Sequence, residues 1–261
     1  MSGKRHVAKA SENTSPAPTA AAGKHDDIFS FKKHSMEYFT INGVRLRTGL
    51  DDPKDLYIMA IEELLDNAVD FLQKYYKGYS SMRITVYITK KRSVLHIKVR
   101  NTNQHVRVFQ NLEKIFNPEM TYGSKQNLKI ISRGLLGDAM KQILALAYIL
   151  IHCKDDRTAF TNAQWNQPLI VRHNGLETHV KVVVDPATGG SLDIKEVGVV
   201  EGGSKDTEIE VFLPLIKDDI IRMDEIEEFC RTYPILTTDI WFKFLLMDDN
   251  EDEEEEETMM I

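Results

Sequence analysis

The stretch Glu62-Glu63-Leu64-Leu65-Asp66-Asn67-Ala68-Val69-Asp70 lies inside the longest helical pattern of the chain and constrains the fold more than any other segment. Asp52 and Pro53 predict the start of that helix, as N-cap and first helical residue. Apolar residues recur at Ile58, Ile61, Leu65, Ala68 and Leu72, a helical period with one face to bury. Glu63, Asn67 and Asp70 stand four and three apart, so they share a different face. A carboxylate one turn from a carboxamide can polarise a water and hold a hard cation through oxygen. Taken alone, ExxxN also describes solvated charges on an amphipathic helix.

A chain of 261 residues with 42% hydrophobic and 28% charged residues implies a globular protein of one large or two small domains. No apolar run approaches the length of a membrane span, and the first residues lack the apolar core of a signal peptide. Cys153 and Cys230 are far apart and lack metal-ligand spacing, so reduced thiols in a cytosolic protein, and no structural zinc, are expected. The net charge of −7 is concentrated in Asp248 to Glu257, leaving the rest of the chain close to neutral. Composition reads that run as a disordered solubilising segment; the functional reading is a mimic of nucleic-acid charge or a contact for a basic partner.

Residues 1 to 27, rich in Ala, Ser, Thr, Pro and Lys, are expected to form a disordered, mildly basic arm. Residues 28–215 are expected to form the main domain, 216–247 a C-terminal helix and strand extension, and 248–261 an acidic tail. Met36 to Thr48 predicts a hairpin turning at Asn42-Gly43, followed by the long helix from Pro53 to Lys77. Met82 to Thr89 and Ser93 to Arg100 alternate apolar with polar residues around Lys90-Lys91-Arg92 and predict an antiparallel pair. A short helix over Val106 to Phe116 ends at Asn117-Pro118. A helix over Gly134 to Ala147 then leads into an expected buried strand, Tyr148 to Cys153. Leu169 to His173 and Glu177 to Val184 form a second expected hairpin, around Asn174-Gly175. Strands at Asp193 to Val200 and Thr207 to Leu213, a helix at Asp218 to Thr232 and a strand at Asp239 to Leu246 follow. Strand runs with few helices and no βαβ alternation predict an α+β two-layer sandwich, a mixed or antiparallel sheet with helices on one face.

Beyond the long helix, several short motifs carry chemistry. Asn101, just past an expected strand end, can hydrogen-bond the edge of a heterocycle; its plain alternative is an Asx-type turn. Ser124 and Lys125 offer a hydroxyl and a cation suited to phosphate oxygens. After a gap of eight residues from Lys125, Gly134-Leu135-Leu136-Gly137 opens a helix whose free N–H groups favour an anion. Thr207 begins a strand after Gly202-Gly203 and can reach the same ligand from the sheet. His96, His152, His173 and His179 read as strand or surface residues without a role.

The order of these pieces resembles the GHKL ATPases, the superfamily with the Bergerat nucleotide fold, and within it the B subunit of topoisomerase VI. EELLDNAVD is similar to that subunit's first motif, and Tyr122-Gly123-Ser124-Lys125 followed by Arg133-Gly134-Leu135-Leu136-Gly137 is similar to its lid region. Tyr233-Pro234 with Asp239-Ile240-Trp241-Phe242-Lys243-Phe244 looks like the segment after its ATPase core. The resemblance spans roughly residues 36 to 246. It implies ATP and Mg²⁺ as ligands, with Glu63 as the general base orienting water and Asn67 as the Mg²⁺ ligand. Asp70 belongs to the same implied nucleotide site. Asn101 falls at the position of the adenine-reading aspartate. Ser124 and Lys125 would contact the nucleotide, Gly134, Leu135, Leu136, Gly137, Asp138, Ala139, Met140 and Lys141 would form the phosphate lid, and Thr207 would sit near adenine.

Two departures from the pattern stand out. The family's DNGxG reads here as Asn101-Thr102-Asn103-Gln104-His105, which removes the charge assistance of a carboxylate. Asp138 stands in the lid where a small residue is expected, and a carboxylate near phosphates repels them unless it faces Mg²⁺ or solvent. The expected function is slow ATP hydrolysis coupled to lid closure, with a homodimer and a DNA-handling protein as the implied partners. One alternative is an ATP sensor or pseudo-ATPase scaffold that binds protein partners. Another is a histidine-kinase-type catalytic domain; no helical hairpin bearing a phospho-acceptor His is read before residue 36.

Overall fold

The computed structural model describes residues 35–50, 52–76, 82–91, 93–102, 112–117, 138–152, 167–185, 189–199, 206–216, 220–237, 239–248 and 257–260. The expected basic arm, most of the polar segment with Ser124, Lys125 and Gly134 to Gly137, and residues 249–256 of the acidic run lie outside these.

The sheet is organised by register. Strands β1 (Arg83–Lys91) and β2 (Val94–Asn101) are antiparallel, and β2 pairs antiparallel with β6 (Thr207–Pro214). β6 continues to the hairpin β3 (Leu169–His173) and β4 (Leu176–Asp185), and β4 to β5 (Gly189–Val199). On the other side β7 (Trp241–Asp248) runs parallel to β1 and β8 (Glu257–Met260) pairs antiparallel with β7. The order β5-β4-β3-β6-β2-β1-β7-β8 makes one mixed eight-stranded sheet.

Because side chains alternate along a strand, register decides which residues share a face. Phe244, Val86, Val99, Ile209 and Val171 form one buried row across five strands, and Leu246, Ile88, Ile97 and Val211 form the next. Helix α2 (Pro53–Tyr76) packs on β2, helix α4 (Ala139–His152) on β6 and helix α5 (Met223–Thr232) on β7, each contributing to one apolar core. The opposite face is half-buried and polar, with Lys98 above the Tyr87 ring at 4.3 Å. The class is α+β, a mixed sheet with helices on one face.

α2 forms where its period and caps demand. Asp52 Oδ1 accepts from Lys54 N at 2.9 Å, and Leu56, Tyr57, Ala60, Ile61, Leu64, Leu65, Ala68 and Leu72 are buried. The Asn174-Gly175 turn has φ of 53° and 78°, both positive, as a tight two-residue hairpin requires.

Three expectations are corrected. Met36 to Thr48 is not a hairpin: Ser35–Phe39 is a 3-10 turn and Ile41–Thr48 is helix α1. Thr40 caps that helix by accepting from Gly43 N at 3.0 Å, and Gly49 closes it at φ 73°. Gly43 is there for close approach, since a Cβ would stand 1.7 Å from the Glu37 carbonyl oxygen. Tyr148 to His152 is not a strand but the end of α4. An apolar run buried on nearly every side loses its period, and Leu, Ala and Met residues let the helix continue. Glu257–Met260, at the end of the acidic run, is strand β8 on the edge of β7. Of the expected helix at Val106 to Phe116, Leu112–Phe116 (α3) is described and helical, while residues 106–111 include no described position.

Candidate functional site

The apolar face of the sheet turns polar at one end. Two residues beyond the Val99–Ile209 row, the register brings together Phe242, Ile84, Asn101 and Thr207. Asn101 and Thr207 are buried directly opposite one another on β2 and β6. Asn101 is the last residue of its strand. His173 ends β3 in phase with Leu169 and Val171, and its Nδ1 lies 3.0 Å from Thr207 Oγ1. Burial holds the His173 imidazole below its ordinary pKa, which favours the neutral ring. The Asn101 Nδ2 is buried with no hydrogen-bond partner among the described residues. A buried donor left unmet is costly, so a site that keeps one points to something that completes it.

α2 carries Glu63, Asn67 and Asp70 half-buried, while Glu62 is exposed. The rotation of α2 about its axis is fixed at two points. Tyr57 Oη donates to Pro214 O at 2.7 Å and accepts from Ile216 N at 3.3 Å, tying the helix to the end of β6. Buried Asp66 accepts from Tyr233 Oη at 2.5 Å, tying it to the 3-10 turn Tyr233–Leu236. Asp66 sits between Glu63 and Asn67, so this second bond controls where those two project. Asn67 Nδ2 donates to Glu63 O at 2.7 Å, which engages the amide's donor with the helix backbone; its oxygen is the atom a hard cation takes. No group of three or more His, Cys, Asp or Glu side chains arranged to hold a metal occurs among the described residues. That donor set fits Mg²⁺, which is commonly held by one or two protein oxygens together with water and phosphate.

Asp138, which the sequence places in the expected phosphate lid, is enclosed by side chains from other parts of the chain. It is buried, accepts from Tyr38 Oη at 2.8 Å and Arg47 Nη1 at 3.0 Å, and lies 3.7 Å from Lys141 Nζ. Arg47 also stacks on the Tyr38 ring at 4.0 Å. Asp138 O accepts from Lys141 N and Gln142 N, so the carboxylate stands at the head of α4, where the helix dipole favours it. The charge is neutralised locally, and α1 is thereby joined to α4. Ala139 and Met140 open α4 beside it, Met140 buried.

Of the sequence-derived candidates, Asn101 and Thr207 come together, and Glu63, Asn67 and Asp70 share a helix face. Asp138 and Lys141 belong to the ion cluster just described. Ser124, Lys125, Gly134, Leu135, Leu136 and Gly137 lie outside the described residues. Sequence reasoning passed over Tyr38 and Arg47, gave His173 no role and took Tyr233 only as part of the segment after the resembled core. Alternation from Val171 up to the Asn174-Gly175 turn was enough to place His173 on the Thr207 face; nothing local marks Tyr233 or Arg47, whose partners are distant in sequence.

The fold and this polar end define an α+β domain with a half-finished polar site on the helix-covered face of its sheet. Neither a family model nor a curated protein matches the chain. Among solved structures it is similar to the 43K ATPase domain of Thermus thermophilus gyrase B, solved in complex with an aminocoumarin, at 14% identity and a TM-score of 0.40. That match covers 84% of this chain and 46% of the other, so the chain spans about half the length of that domain.

Proposed function

We propose that this domain binds a purine nucleoside triphosphate with Mg²⁺ and hydrolyses it slowly, as a topoisomerase-VI-B-like GHKL ATPase. The observation that carries the reading is the buried pair Asn101 and Thr207, in register on the face that α2 and α4 cover, with one amide donor left unmet. A purine edge is a flat group with alternating donors and acceptors, which such a pair can meet.

In this reading Glu63 holds and deprotonates the attacking water, and Asn67 supplies oxygen to Mg²⁺, whose charge offsets that developing on the phosphates. Asp70 shares that face. Ser124, Lys125 and the segment from Gly134 to Gly137 contribute hydroxyl, cation and backbone N–H groups to the phosphates. Lid closure over the nucleotide is the output of this reading; Asp138, at the head of α4, pairs with Arg47 of α1 and with Lys141. A homodimer gated by that closure, acting with a DNA-handling partner, is the corresponding biological use.

Calorimetric titration with a non-hydrolysable ATP analogue tests the site: binding should require Mg²⁺ and be lost in Asn67→Ala. Glu63→Ala should keep nucleotide affinity and lose turnover by ~100-fold or more. Binding without any turnover in the unaltered protein would make it an ATP sensor. Absence of binding at millimolar nucleotide would overturn the reading.

A further inference from the structure

The unmet donor at Asn101 bears on which base the site takes, an inference that rests on the nucleotide reading above. Asn101 is 5% exposed, and its Nδ2 has no hydrogen-bond partner among the described residues. Its neighbours in the sheet explain why. Across β1 stands Ile84, which is wholly buried and offers no acceptor. Across β6 stands Thr207, whose hydroxyl lies against His173 Nδ1. Two residues back along β2 is Val99. An acceptor brought in by a ligand would satisfy this nitrogen.

A carboxylate at this position can only accept. It pairs with the 6-amino group of adenine and repels the 6-carbonyl of hypoxanthine or guanine. Asn101 reverses that bias, because its N–H meets a 6-carbonyl directly. The amide turned over presents oxygen instead and meets a 6-amino group, so adenine remains acceptable. We propose that Asn101 reads the base as a hydrogen-bond donor, so that the site accepts 6-oxopurine nucleoside triphosphates alongside ATP. Position 101 therefore sets base specificity, and what it sets is tolerance.

Inosine triphosphate is the sharpest probe, since it replaces the 6-amino group of ATP by a carbonyl and leaves the sugar and phosphates alone. Competition of Mg·ITP and Mg·ATP against a fluorescent nucleotide should give affinities within about threefold of each other for the unaltered protein. Asn101→Asp should keep ATP and lose ITP by on the order of tenfold or more. ATP preferred to ITP by tenfold or more in the unaltered protein overturns the inference and leaves the nucleotide reading standing. An ITP-to-ATP ratio unchanged by Asn101→Asp also overturns it, since the orphan nitrogen would then be met by water rather than base. Should Asn101→Asp fail to fold, the ratio in the unaltered protein decides. If neither nucleotide binds, the nucleotide reading itself falls.

Discussion

The two faces of the sheet solve the same problem in opposite ways. On the solvated face, Arg172 gathers three carboxylates: Nε to Glu177 at 2.6 Å, Nη1 to Glu208 at 2.6 Å, and Nη1 to Glu210. His96 Nε2 meets Glu210 at 2.7 Å and stacks on Phe212, and His179 Nε2 meets Glu177 at 2.8 Å. Each carboxylate there has a cation or ring N–H, and the cluster is closed on itself. On the helix-covered face, Asn101, Thr207 and His173 form a smaller group that retains an orphan donor. A closed network holds the sheet together; an open one at a strand end is what a ligand can complete.

Removing Arg172 should break the comparison hardest. Arg172→Met leaves Glu177, Glu208 and Glu210 sharing one face without their cation, and should cost about 2–3 kcal/mol in urea unfolding at pH 7.

Acid separates the two groups by window. Burial alone would raise the Glu210 carboxyl, but hydrogen bonds from His96 and Arg172 outweigh it and hold the group at about 2 against an ordinary 4.5. Glu177 is likewise held low by Arg172 and His179, against the opposing effect of burial. The folded state therefore binds fewer protons than the unfolded chain. This stability is present above about pH 4.5 and is lost as pH falls toward 2. Arg172→Met should flatten that slope. His173 acts earlier: with its folded pKa depressed by burial, the unfolded chain takes up the proton first, and stability drops as pH falls through the ordinary 6.5. Thermal unfolding at pH 7.5, 5.5 and 3.5 should show two separate steps, with only the first removed in His173→Gln.

The smallest effect is expected at Asn101. Asn101→Leu removes an unmet donor, so the ligand-free protein should be unchanged or more stable by about 0.5–1 kcal/mol in the same unfolding assay. A large loss would show the amide to be structural and would erase the contrast between the faces.

These contrasts also show where sequence reading succeeds. Helix α2 was legible because Asp52, Pro53 and the spacing of Ile58, Ile61, Leu65, Ala68 and Leu72 are local signals that agree. The β3–β4 hairpin was legible from Asn174-Gly175 for the same reason. Asn42-Gly43 misled because Thr40 as a helix cap competes with a turn, and Tyr38 and Phe39 bury better against α4, where Phe39 meets Tyr148 edge-on at 5.8 Å. Asn101 and Thr207 were singled out separately, but their facing register and the orphan amide are products of pairing between segments far apart in sequence. The Arg172 cluster was invisible for that reason too, since its members come from four strands.

The parallel pairing of β1 with β7 has a consequence for how the chain arrives at this structure. β1 with β2 and β3 with β4 close through short links, whereas Arg83 meets Trp241 only when everything between them has been gathered in. Until then the apolar row of Ile84, Val86 and Ile88 ends in a bare edge that any extended strand can join. The pairing that seats Phe242 and Phe244 thus closes the longest loop among the described strand pairs, and a chaperone that shields this edge would act where a bare strand invites misassembly.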